Sequence, residues 1–341
     1  MKTNINPLEI KKILCIKPRG IGDIILSTII LENLHSYFHN AEIHYLTEEF
    51  AKDAVSSHPL VTKVLSYKKD DSIFSIFRLI RKEKYDIVFD LYSNPKTAQI
   101  TFFSGAKFRI GYAYRGRKYA YNNKSEIGRG DSHSAEHNLE LLKALEIPII
   151  SKTIKFFLTI NAENFANSFV NKEIKLNNII GIIPSGGWDS KRCPKERWVQ
   201  IINELSEKLE AAFLILWGPE DLNDAQYILN QTKNSFLAPE TDLMKLAGLI
   251  SRCRLVITND SGPMHLSAAL RVPTLGLFGP TDPMKHGPYS EYGNYVIKSD
   301  LQCIRCNKLI CPFNKECFNE LDIDEIISKS IKLLTLNVKK I

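Results

Sequence analysis

The chain has 341 residues, more than one ordinary core holds, so two domains of about 150 residues each are expected. With 44% hydrophobic and 24% charged residues, its composition excludes a disordered or fibrous chain. The net charge of +7 is uneven: residues 1–175 hold 26 Lys and Arg against 19 Asp and Glu, and residues 176–341 hold 19 of each.

The longest aliphatic run, residues 24–31, is broken by Ser27 and Thr28 and falls short of the ~20 residues of a membrane-spanning helix. Residues 1–12, MKTNINPLEIKK, have neither the apolar stretch nor the cleavage site of a secretory signal, so a cytoplasmic chain is expected. A basic half beside a neutral half suggests an anionic partner: nucleic acid, a membrane surface or an acidic small substrate. A solvated loop that keeps the chain soluble would explain the same charges.

Taken in chain order, residues 13–17 (ILCIK) read as a buried strand, followed by the turn Pro18-Arg19-Gly20-Ile21-Gly22. One helix over residues 23–37 follows, with apolar residues at Ile24, Ile25, Leu31 and Leu34. Residues 42–47, 64–67 and 87–91 are the next strands, with a helix over 73–81 before the last. The second half repeats the alternation. Strands are expected at 178–183, 213–217, 255–258 and 274–278, and helices at 196–209, 243–252, 263–270 and 322–336. Such alternation calls for parallel sheets with helices on both faces, here two in tandem joined near residues 165–177. Ligands of such sheets bind outside the carboxyl ends of the strands, so the chemistry is sought there.

Two strand ends in the second half suit an anion. After Ile183 comes Pro184-Ser185-Gly186-Gly187, then Trp188-Asp189-Ser190-Lys191-Arg192. The glycines let backbone N–H groups approach closely, Ser185 adds a hydroxyl, and Lys191 and Arg192 supply positive charge. After Thr258 comes Asn259-Asp260-Ser261-Gly262-Pro263-Met264-His265, where Pro263 suits a first helical position and places Ser261 and Gly262 at a helix N-terminus. Both loops could converge on a diphosphate, although Gly-rich turns after strands are common without any ligand. Glu220, in Trp217-Gly218-Pro219-Glu220, reads either as an acceptor for ribose hydroxyls or as a solvated turn residue. In the first half, Gly20-Ile21-Gly22-Asp23 fits neither a Walker A loop nor G-x-G-x-x-G. Asp23 reads equally as a helix N-cap or as a general base facing the anion loops of the other domain.

These segments together resemble glycosyltransferase family nine, the bacterial heptosyltransferases. The resemblance runs through residues 13–23 (ILCIKPRGIGD), 41–46 (AEIHYL), 181–198 (GIIPSGGWDSKRCPKERW), 216–220 and 256–283 (VITNDSGPMHLSAALRVPTLGLFGPTDP). It implies the α/β GT-B fold: two Rossmann-like parallel-sheet domains facing across a cleft. Residues 1–170 would be the acceptor domain carrying the base, 177–325 the nucleotide-sugar donor domain and 326–341 a C-terminal helix and tail that packs back across the domains. By the resemblance Asp23 is the base and Lys191 contacts the donor phosphates. Glu220 contacts ribose and Thr241 adenine; Asp260, Ser261, Gly262 and His265 lie beside the diphosphate and transferred sugar, with Ser185 and Gly187 in the other phosphate loop. The implied reaction is inverting, metal-independent transfer of heptose from ADP-heptose to an inner-core lipopolysaccharide acceptor. Alternatives are another nucleotide-activated sugar, or binding of a nucleotide sugar or nucleic acid without catalysis. The joint presence of Asp23 and Lys191 argues against pure binding.

Three further features stand apart. Cys303-x2-Cys306-x4-Cys311-x5-Cys317 places four of seven cysteines within fifteen residues. Such reduced thiols read as a structural zinc site, an iron–sulfur site or metal-free packing of a loop. His133-Ser134-Ala135-Glu136-His137 matches H-x-x-E-H, but no third ligand is evident and a helix entry explains it. In residues 107–129, Lys107, Arg109, Arg115, Arg117, Lys118, Lys124 and Arg129 face only Glu126, with tyrosines interleaved at 112, 114, 119 and 121. That pattern superficially suits nucleic acid. Under the resemblance the partner is instead an acidic glycolipid, and Arg109, Arg115, Arg117 and Lys118 become contacts to the acceptor or to the inner membrane surface, with no nucleic acid involved.

Overall fold

A computed structural model describes residues 5–128 and 130–336; Arg129 of the basic stretch and the ends of the expected first and last segments lie outside the described residues. The chain divides into two compact units, Met1–Phe157 and Leu158–Ile341.

The first unit is built on strands β1 (Lys12–Ile16), β2 (Glu42–Glu48), β3 (Lys63–Tyr67), β4 (Ile87–Asp90), β5 (Phe108–Tyr112) and β6 (Asn123–Ser125). They form one parallel sheet in the order β3-β2-β1-β4-β5-β6. Its helices are α1 (Ile21–Ser27), α2 (Leu31–Tyr37), α3 (Ile73–Glu83), α4 (Pro95–Phe103) and α5 (Glu136–Lys143). Ile13 pairs with both Ile43 and Ile87, so β1 is covered on both edges and both faces, which is why its sequence is continuously apolar. Because β2 and β4 flank β1, the sheet reverses direction of winding there, and the loop after β1 opens at that switch point.

The expected single helix over residues 23–37 is two helices joined by a 3-10 turn at Thr28–Ile30. The Ser27 and Thr28 hydroxyls donate to the carbonyls of Ile24 and Ile25, both at 2.7 Å, and β-branched Ile29 and Ile30 follow. Back-bonding of this kind competes with the regular ladder and tightens the turn.

The second unit carries β7 (Ile179–Ile183), β8 (Ala212–Ile215), β9 (Ser235–Leu237), β10 (Leu255–Asn259), β11 (Thr274–Phe278) and β12 (Gly293–Ile297), again wholly parallel, in the order β12-β11-β10-β7-β8-β9. Its helices are α6 (Ile160–Glu173), α7 (Lys195–Lys208), α8 (Leu222–Gln231), α9 (Leu243–Ser251), α10 (Gly262–Ala269), α11 (Pro283–His286), α12 (Glu316–Asn319) and α13 (Ile323–Leu334). The switch point lies between β7 and β10, the two strands whose following loops carry the anion motifs.

The division falls before α6, not at residue 170. Residues 160–173 pack against α9, where a Cβ on Gly248 would stand 2.4 Å from the carbonyl oxygen of Ala162. Only glycine permits that approach, and it fastens α6 to the second unit. The C-terminal helix α13 buries Ile326, Ile327 and Leu333 in the core of this same unit, beside Trp198 and Phe318, so residues 326–336 belong to the second unit and do not pack back across both.

Candidate functional site

The loops after β7 and β10 meet. The side-chain amide of Asn259, the last residue of β10, donates to the carbonyl of Pro184 at 2.7 Å, tying one strand end to the other across the switch point. Within this frame Lys191, in a 3-10 turn at Asp189–Lys191, places its ammonium 2.6 Å from the Asp260 carboxylate and 4.0 Å from the Trp188 ring centre. The hydroxyl of Thr281, in the loop after β11, donates to the same carboxylate oxygen at 2.6 Å. Three strand ends thus hold one lysine.

Of the other expected donor residues, Ser261 is the N-cap of α10 and makes no side-chain capping bond, and Gly262 opens the helix with Pro263 in its first turn. The positive end of the helix dipole is therefore presented beside the Lys191–Asp260 pair. His265 is buried one turn further on. Ser185 is half-buried, and Gly187 is exposed with open space where a side chain would stand. Glu220, after β8, is 87% exposed and lies 3.6 Å from Arg192. Thr241 immediately precedes Asp242, the N-cap of α9, after β9. All of these stand at carboxyl ends of one sheet. Arg192 does not point its charge into an open anion site: its guanidinium pairs with Asp221 at 3.1 Å and donates to the carbonyl of Gly186 at 3.2 Å. Sequence reasoning overlooked Asn259, Thr281 and Trp188. Thr281 could have been found within Gly-Pro-Thr-Asp-Pro, since a hydroxyl in a strand-end loop is a ready partner for a buried carboxylate.

In the first unit, the N-cap of α1 is Gly20, at φ 82°, and Asp23 is the third helical residue. The capping explanation for this aspartate therefore fails. A Cβ on Gly20 would stand 2.7 Å from an Asp23 carboxylate oxygen, so the glycine also leaves that oxygen room. Asp23 is exposed and, among the described residues, has no hydrogen-bond or ion-pair partner. The chain thus presents an uncommitted carboxylate at the sheet's switch point. The nearby carboxylate of Asp90 is different. It is wholly buried, accepts from the Tyr92 and Ser93 amides and from the Tyr121 hydroxyl at 2.8 Å, and burial raises its pKa above the usual carboxylate range.

The basic stretch contains the two strands β5 and β6, not one long loop. Arg109 lies in β5, and its guanidinium donates to the carbonyls of Ala120 and Ala106, both at 3.0 Å. It clamps the β5–β6 connection and lies 5.9 Å from the ring centre of the exposed Phe102. Arg115, Arg117 and Lys118 sit in that connection, the first and last exposed, and engage no carboxylate among the described residues.

Cys303, Cys306, Cys311 and Cys317 line one cavity of about 30 Å³ against Ser190, Gly279 and Phe313. Burial and the neighbouring thiols push the Cys317 thiol up to about 12. No group of three or more His, Cys, Asp or Glu among the described residues is arranged to hold a metal ion. In the H-x-x-E-H segment, His137 stacks on Tyr112 at 4.3 Å and bonds the Tyr114 hydroxyl at 2.9 Å, while Glu136 pairs with Lys152. Packing accounts for that motif. No helix among the described residues is long and apolar enough to cross a membrane.

Residues 73–316 match the family model for glycosyltransferase family 9 (heptosyltransferase). The lipooligosaccharide heptosyltransferase 2 of Haemophilus influenzae is 26% identical over 320 residues, covering 87% of this chain and 91% of that protein. Among solved structures, a family 9 glycosyltransferase from Veillonella parvula superposes with a TM-score of 0.86 at 24% identity, covering 97% of this chain and 99% of that one. The Escherichia coli ADP-heptose lipopolysaccharide heptosyltransferase II does so with a TM-score of 0.78 at 20% identity, covering 95% and 98%. The two structural likenesses are likenesses of fold, and they match the two parallel six-stranded sheets described above to the GT-B class. The family match covers most of the chain, and the chain belongs to glycosyltransferase family 9, the heptosyltransferases.

Proposed function

We propose that this glycosyltransferase moves heptose from ADP-heptose to an inner-core lipopolysaccharide acceptor, with inversion at the anomeric carbon. The observation that carries this reading is the Lys191 ammonium fixed by three strand ends beside the N-terminus of α10, a site suited to a leaving diphosphate. Matching relatives bear the names of lipopolysaccharide and lipooligosaccharide heptosyltransferases. The roles divide between the units. Asp23 takes the proton from an acceptor hydroxyl, and the oxygen it frees bonds to the anomeric carbon. The bond from that carbon to the phosphate oxygen breaks, and ADP departs with the electron pair. Lys191 and the N–H groups of α10 stabilise the charge developing on the diphosphate, the work a divalent cation does in other transferases. Glu220 and Thr241 meet ribose and adenine, Ser185 and Gly187 the phosphates, and Ser261, Gly262 and His265 the diphosphate and sugar, with Asp260 beside them as the counter-ion of Lys191. The acceptor is lipid-borne and acidic, which supports Arg115, Arg117 and Lys118 as its contacts and the cytoplasmic face of the inner membrane as the place of work.

Incubation with ADP-heptose and defined inner-core acceptors, followed by mass spectrometry, tests donor, acceptor and catalysis together. The expected product is heavier than the acceptor by one heptosyl residue; transfer only from a different nucleotide sugar, or none at all, overturns the reading.

For the cysteine loop we propose a structural zinc with Cys303, Cys306, Cys311 and Cys317 as ligands, supported by the cavity that all four line. The thiols form no ligand shell among the described residues, so loading must draw them together. Less than a tenth of an equivalent of zinc in purified protein removes this proposal.

A further inference from the structure

The first unit bears a ladder of aromatic rings on its outside. Phe74 and Phe77, one turn apart on α3, stand 6.1 Å apart; Phe77 lies 4.9 Å from Phe103 at the end of α4; Phe103 lies 5.1 Å from Phe102, and Phe102 5.5 Å from Tyr119. Phe77 leans on the core, but Phe74 is 76% exposed, Tyr119 52%, Phe103 45% and Phe102 42%. Helix α3 has already satisfied its core with Ile76 and Ile80, so folding gives no reason for a phenylalanine at 74. A contiguous exposed patch of this size on a soluble surface marks an interaction site.

The charge around the ladder says what covers it. Arg78 and Arg81 follow Phe74 at helical spacings of four and seven, with Lys82 beside them; Lys118 directly precedes Tyr119, and Lys107, four residues after Phe103, is exposed and lies over the buried Phe108 ring. None of this unit's carboxylates pairs with these five cations among the described residues; Glu32, Glu42, Glu49, Glu83, Glu136 and Glu140 are held instead by Lys155, Lys12, Lys52, Lys63, Lys152 and Lys143. Residues 1–157 hold 24 Lys and Arg against 17 Asp and Glu, and residues 158–341 hold 21 of each, so the entire excess belongs to the unit with the aromatic face. Exposed rings bordered by unneutralised cations are complementary to a bilayer interface with anionic headgroups. A protein partner would need acidic groups set among apolar ones. A second copy of this chain would bring the same cations against themselves.

We propose that the face made by α3, the end of α4 and the turn at Lys118–Ala120 docks on an anionic lipid bilayer. Phe74, Phe102, Phe103 and Tyr119 enter the interfacial layer, and Arg78, Arg81, Lys82, Lys107 and Lys118 lie against lipid phosphates. This docking surface deepens the membrane face proposed above as the place of work and rests on that part of the reading, but not on the transfer chemistry.

The test is flotation of the full-length protein, without any sugar donor, on phosphatidylcholine vesicles with and without one-third phosphatidylglycerol. Roughly tenfold or more preference for the anionic vesicles is expected, weakening as salt rises. The variant F74S/F102S should lose about tenfold in partitioning at unchanged sedimentation behaviour and unchanged melting temperature. R78E/K82E, which alters only exposed groups, should lose as much and lose most of the salt dependence. Equal partitioning on the two vesicle types overturns the proposal, as does full binding by F74S/F102S. A change of F74S/F102S from dimer to monomer also overturns it, because a second copy would then be the occupant. Since no donor is present, failure here leaves the transfer reading intact, and failed transfer leaves this result intact.

Discussion

The ammonium of Lys191 stands 2.6 Å from the carboxylate of Asp260, and both side chains are nearly out of solvent, at 12% and 6% exposure. The group best placed to meet a diphosphate therefore already has a counter-ion, which is itself steadied by the hydroxyl of Thr281. A buried pair of this kind is costly to break from one side only, because the remaining charge is stranded. In the proposed reaction the pair holds the ammonium in place before the donor arrives, so little ordering is left for binding to do.

Two substitutions separate these roles. Lys191→Ala removes a charge-assisted contact and should weaken ADP binding by tenfold to about a hundredfold by isothermal titration. It also strands Asp260 and should lower folding stability by about 3 kcal/mol in urea titration. Asp260→Asn keeps the shape and releases the lysine from its counter-ion, so ADP should bind no more weakly than to the unaltered protein. Equal losses of ADP affinity in both variants would show that Asp260 touches the nucleotide and is no mere counter-ion.

Asp23 offers a cleaner separation, because among the described residues it has no hydrogen-bond or ion-pair partner to lose. Asp23→Asn should reduce transfer by 10²–10⁴-fold, the usual contribution of a positioned base. The melting temperature and ADP affinity should stay as they were. Lost nucleotide binding in this variant would make the residue a structural one.

Much of this site could be read from the chain because its loops follow strands, and strand ends in parallel sheets converge whatever the intervening helices do. The Gly186–Gly187 turn, Lys191 and the Ser261–Gly262–Pro263 helix start were all visible as local chemistry. What stayed hidden depended on partners distant in sequence. The bond from Asn259 to Pro184 spans 75 positions, and Arg192 looked like a ligand until its pairing with Asp221 and the Gly186 carbonyl was known. The strand β6 was missed for a different reason. Asn123–Ser125 is a three-residue edge strand with the sequence NKS, which has no apolar alternation to find. The basic stretch therefore looked like a loop, and Arg109 looked available.

That difference among the arginines is measurable. Replacing Arg115, Arg117 and Lys118 together by alanine should raise the acceptor KM severalfold and leave the donor KM alone, with little change in melting temperature, since none of them is committed to a carboxylate. Arg109→Ala removes two hydrogen bonds to the carbonyls of Ala106 and Ala120, from a charged donor. It should destabilise the first unit by about 2–3 kcal/mol while leaving acceptor kinetics of the folded fraction unchanged. A purely kinetic effect of Arg109→Ala would return it to the acceptor site.

The pH dependence of the first unit should be governed in part by His58. The ring is 5% exposed, packs edge-on against Phe157 at 4.9 Å and accepts the Leu60 amide through Nδ1 at 3.3 Å. Burial lowers its pKa from 6.5 to about 4, with Lys155 adding to the effect and Glu32 opposing it. The folded value lies below the unfolded one, so between these two values the unfolded chain takes up a proton that the folded chain refuses. Stability is then complete above pH 6.5 and declines as the pH falls toward 4, by about 2 kcal/mol at pH 5 and about 3 kcal/mol at pH 4. His44, whose pKa burial also lowers, acts in the same direction. His58→Gln keeps a hydrogen-bond acceptor without the titration. Urea unfolding followed at pH 7.5 and pH 5 should therefore show a smaller acid loss in the variant than in the unaltered protein, by about 2 kcal/mol. An identical acid loss in both would mean that the ring is protonated within the fold.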